Sequence, residues 1–95
     1  MKKIAKEAGR LAGLRRRINA VDGKIIRLLA GRISLVDEII PLKKNIRSHG
    51  REKEIIERAA RLAGKLKTDA GFITSVYRKI LKESRKYQKR NRAEK

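Results

Sequence analysis

Apolar residues recur along the first half of the chain in alternating steps of three and four: Leu11, Leu14, Ile18, Val21, Ile25, Leu28, then Leu35, Ile39 and Leu42. That is the seam of one long amphipathic helix. The spacing predicts it over about Lys3 to Ile40. Pro41 then stops or kinks it, because proline has no N–H to donate and its ring crowds the carbonyl of Asp37. At 1.5 Å per residue such a helix is roughly 55 Å long. A compact monomer of this size has a radius of gyration of only about 12 Å. The remaining chain offers no equally long partner for the seam, so the pattern predicts an oligomer, most simply a two-fold dimer.

Two shorter helices follow the polar connection "KKNIRSHG" (43–50). The first is expected over about Arg51 to Lys67, with Ile55, Ile56, Ala59, Leu62, Ala63 and Leu66 on one face. Ser48 suits its N-cap, and Glu52 suits the positive end of its dipole. "KTDAG" (67–71) reads as the next turn, with Thr68 or Asp69 capping the last helix. That helix runs to about Gln88, with Ile73, Val76, Tyr77, Ile80 and Leu81 inward. The basic tail "KRNRAEK" (89–95) has no apolar face and is expected to fray. The pattern gives a single all-α domain over residues 1–95 with three helices, and no strand or repeat.

The beat between Leu28 and Leu35 falls on Arg32, where a leucine is due. The same substitution of polar for apolar recurs elsewhere. The stripe of the last helix continues at Ser84 and Gln88. One turn before Ile55 and Ile56 the middle helix has Glu52, with Arg51 beside it. Lys43 follows Leu42 just past Pro41. A buried arginine or lysine is costly unless paired, and Glu52 alone cannot neutralise Arg32, Lys43 and Arg51. Two readings stay open. The stripes share a pocket for a small anion with more than one negative charge, or Arg32 snorkels to solvent or pairs with Asp37 or Glu38. A guanidinium fork suits the two oxygens of a carboxylate.

Composition narrows the chemistry. The chain has 95 residues, no cysteine and one histidine, which leaves no disulfide, thiolate or His-rich metal site. No apolar run reaches membrane-spanning length and no signal peptide is evident, so a cytoplasmic protein is expected. His49 lies in a polar loop and is read as solvated. The balance of 28 basic to 10 acidic residues is a net charge of +18, which attracts anions, nucleic acid among them. Against nucleic acid, the basic residues are spread over all three helices, no binding motif is present, and Phe72, Tyr77 and Tyr87 are the only aromatics for base stacking.

The stretches "LRRRINAVDGKIIRLLAGRISLVDEIIPLK" (14–43), "REKEIIERA" (51–59) and "FITSVYRKILKESRKYQ" (72–88) resemble the all-helical class of chorismate mutase. The resemblance rests on an arginine after the first leucine, "LLAxR", a lysine eleven residues on, "RE", and a final "SxxxQ". It implies an intertwined helical homodimer with two sites, each built from both chains. It also implies the Claisen rearrangement of chorismate, a dicarboxylate, to prephenate, with no cofactor, metal or covalent intermediate. By position, Arg15 from the partner chain and Arg32 would bind the carboxylates. Lys43 and Gln88 would donate to the ether oxygen, and Glu52 would accept from the ring hydroxyl. Arg51 would shape the local field and Ser84 would contact a carboxylate. The family usually has an acid where this chain has Ser48, whose hydroxyl can still hydrogen-bond to the substrate. The 44–50 loop is shorter than usual, and Pro41 stands where the first helix commonly continues. Lyases that release pyruvate from isochorismate share the fold and a similar pocket, so the motifs leave that reaction open.

Overall fold

The computed structural model describes residues 2–93. Its elements are α1 (Lys2–Ile39), a 3₁₀ turn (Ile40–Leu42), α2 (His49–Lys65) and α3 (Ala70–Ala93). There is no strand among the described residues, so the all-α architecture of three helices with a very long first one is as expected. The chain divides after Ser34 into two compact units.

The first unit is helix throughout its described residues and belongs wholly to α1, which runs unbroken for 38 residues. Its seam is uncovered in the single chain: Ile18 is 58% exposed and Leu28 74%. None of the described helices is long and apolar enough to cross a membrane.

The second unit holds the end of α1, the 3₁₀ turn, α2 and α3. Helices α2 and α3 pack on each other, and the turn packs on α3. On α2 the buried residues are Ala59 and Ala63, whose small side chains allow close approach. On α3 they are Thr74, Leu81 and Gln88, seven residues apart, with Tyr77 and Ser84 half-buried between them. This seam differs from the expected one in detail. Val76, Leu62 and Leu66 are exposed, and Thr74 is buried instead, its hydroxyl donating to the Gly71 carbonyl.

The helix ends have local causes. Pro41 lies in the first positions of the 3₁₀ turn, so α1 closes at Ile39. Ser48 caps α2, its hydroxyl accepting from the Arg51 N–H at 3.4 Å, and Glu52 sits in the first turn. α2 therefore starts at His49, two residues before the expected Arg51. It also ends two residues early. Lys67 is left-handed, with φ 52°, and the Thr68 and Lys67 amides return to the Ala63 and Gly64 carbonyls. That is a Schellman closure with lysine where glycine is usual. Of the two candidate caps for α3, Asp69 does the work: its Oδ1 accepts from the Phe72 N–H at 3.1 Å.

The end of α3 is a correction. The helix does not stop at Gln88 but continues to Ala93. Asn91 donates to the Tyr87 carbonyl, and Arg92 donates to the Lys44 carbonyl at 2.7 Å, which ties the extra turn to the loop. Arg90 and Arg92 also suit the negative end of the helix. Residues 94 and 95 of the expected tail lie outside the described residues.

Candidate active site

The break at Pro41 sets the first candidate side chain. Lys43 caps the 3₁₀ turn with an extended backbone, φ −99° and ψ 138°. It therefore leaves the helical path and reaches α3. Its Nζ donates to the Ile46 carbonyl at 2.6 Å and to Gln88 Oε1 at 3.0 Å. Gln88 is 8% exposed. Its Nε2 donates in turn to Ser84 Oγ, one helical turn back, at 3.1 Å. Three residues singled out from the stripes thus form one chain of hydrogen bonds, Lys43 to Gln88 to Ser84.

Counting donors shows what this chain can still do. An ammonium has three N–H groups and a primary amide has two. Lys43 uses two and Gln88 one. One N–H remains on each, and the two side chains touch. Each therefore keeps one donor for a further acceptor.

Glu52, half-buried on α2, does not neutralise the cations the stripes suggested. Its Oε1 accepts from Arg85 Nη1 at 2.6 Å, across to α3, and lies 3.5 Å from Arg47 Nε. Glu52, Ile56, Leu81 and Arg85 line a groove of about 500 Å³ between α2 and α3. Sequence spacing does not reveal Arg85, because its pairing with a residue 33 positions away exists only once α2 and α3 pack.

The other residues are less gathered. Arg51 is exposed and bonds to Glu54 Oε1 at 3.2 Å within α2. Ser48 spends one lone pair on the helix cap and keeps its O–H. His49 is exposed in the first turn of α2. In the first unit, Arg15 is exposed and Arg32 half-buried, and neither makes a hydrogen bond or ion pair with a described residue. Asp37, one of the two acids read as a possible mate for Arg32, accepts from the Tyr87 hydroxyl at 2.7 Å. On the outer face of α3, a hydrogen bond from Lys79, aided by Lys86, holds the exposed Glu83 carboxyl below its usual range. No group of three or more potential metal ligands occurs among the described residues.

Comparison with curated proteins and with solved structures gave no match. A match to the family model spans residues 14–89, from the leucine before Arg15 to the residue after Gln88, and on it the chain belongs to the chorismate mutase type II family, isomerases that act on chorismate.

Proposed function

We propose that the chain converts chorismate to prephenate, in the cytoplasm, supplying phenylalanine and tyrosine biosynthesis. The observation that carries this is the Lys43–Gln88 contact with one N–H left on each partner. In the rearrangement the ether C–O bond breaks as a C–C bond forms, within one molecule. Negative charge grows on the ether oxygen. Two fixed donors aimed at one oxygen are what that transition state calls for.

The remaining roles follow from charge and reach. Arg32 and the partner subunit's Arg15 hold the two carboxylates and fold the substrate toward a chair, which replaces a search with a bound geometry. The Ser84 O–H, still available after accepting from Gln88, supports a carboxylate. Glu52 accepts from the ring hydroxyl, Ser48 is a further hydroxyl near it in sequence, and Arg51 contributes field. The reaction needs no nucleophile, metal or cofactor. A homodimer is part of this proposal, supported by the uncovered seam of α1 and by the need for a second arginine.

The test is loss of chorismate on adding the purified chain, with products separated by chromatography. Prephenate is expected. With isochorismate as substrate, release of salicylate and pyruvate would identify the lyase instead. No turnover of either by a folded helical sample would contradict both.

A further inference from the structure

Glu52 is held from two sides. Arg85 approaches from α3 at 2.6 Å and Arg47 from the loop at 3.5 Å, and both closest approaches are to Oε1. The Arg85 contact is a short charge-assisted hydrogen bond, strong and directional, whereas Arg47 is only a looser ion pair. Arg85 meets Oε1 through a single guanidinium nitrogen, Nη1, and so ties that oxygen to α3. With Oε1 engaged, Oε2 is the oxygen left for a further donor. Arg85 and Glu52 also line the same groove, with side chains only 26% and 17% exposed. Packing of α2 on α3 is already supplied by the buried Ala59, Ala63 and Leu81.

We propose that Arg85 is a positioning residue: it clamps Glu52 so that Oε2 faces the substrate's ring hydroxyl, and so sets the preference for a substrate that carries that hydroxyl. The proposal rests on the mutase reading above. Without the clamp, Glu52 keeps only the longer approach of Arg47 from the loop, and its carboxylate is free to turn. A site built to bond a hydroxyl discriminates strongly against an analogue that lacks it, because its acceptor is then left unpaired. Loosening the acceptor removes that discrimination.

The experiment compares kcat/KM for chorismate with kcat/KM for its analogue lacking the ring hydroxyl. Arg85→Met should lower the chorismate value roughly tenfold or more, as misplacement of a binding group does, and should leave the analogue's value near that of the parent. The preference for chorismate therefore collapses. Equal losses for both substrates would mean that Arg85 only holds the helices together, and no loss for either would mean that it holds nothing relevant. Both results overturn the clamp. Should Arg85→Met fail to fold, Arg85→Lys decides alone. A point charge in place of the guanidinium lowers the preference part of the way under the proposal, and a parent-like preference overturns it. A parent enzyme with no turnover of chorismate overturns the mutase reading, and the clamp falls with it.

Discussion

In the proposed mechanism, Lys43 and Gln88 are the pair on which the chemistry turns. Removing one preorganised donor from a developing oxyanion costs about 10²–10³ in rate. Lys43→Ala should therefore lower kcat by about that factor and change KM far less, since the contact strengthens in the transition state. A change confined to KM in steady-state kinetics would contradict the role. Gln88→Glu should move the activity to lower pH, because the new carboxyl donates only when protonated. An unchanged pH–rate profile would show that position 88 does not face the ether oxygen. The two residues were legible in the sequence for different reasons. Gln88 stands on the apolar beat of its helix, so its burial could be anticipated. Lys43 stands past a proline in a polar loop; its place just after Leu42 made it a candidate, and only the resemblance gave it a role. The hydrogen bond between them joins positions 45 residues apart and follows from tertiary packing. Arg85 was not legible at all for the same reason.

Among the elements, α1 was the most legible, since a long 3–4 pattern overrides its scattered glycines. The ends of α2 were less so. Its stop has no glycine at the left-handed position, and Lys67 occupies it with φ 52°. An L-residue is strained there, whereas glycine is not. Lys67→Gly should therefore stabilise the fold by about 0.5–1 kcal/mol, read as a shift of the chemical denaturation midpoint. A lowered midpoint would mean that the Lys67 side chain contributes more than its backbone costs. Asp69→Ala should act in the opposite direction, losing about 1 kcal/mol with the cap on Phe72. α3 outran its expected end because the cues were only compositional. "KRNRAEK" reads as a solvated tail, but Arg92 finds a loop carbonyl that no local pattern reveals.

For the whole molecule, the +18 charge and the uncovered seam of α1 are the features that one chain leaves unexplained. A cationic field draws a dianion toward its site, so kcat/KM should fall several-fold from low to high ionic strength, with kcat nearly constant. A salt-independent kcat/KM would leave the charge without a part in catalysis. The seam bears on assembly. If each site draws on Arg15 of the partner subunit as well as on its own Lys43, two different defects can repair each other. The decisive measurement is activity after Arg15→Ala and Lys43→Ala chains, each nearly inactive alone, are unfolded together and refolded in equal amounts. Random pairing makes half of the dimers mixed, each with one intact site of two, so about a quarter of the parent's chorismate-to-prephenate activity should return. If the mixture stays as inactive as its components, although the parent refolded alike recovers its activity, no site is shared between chains.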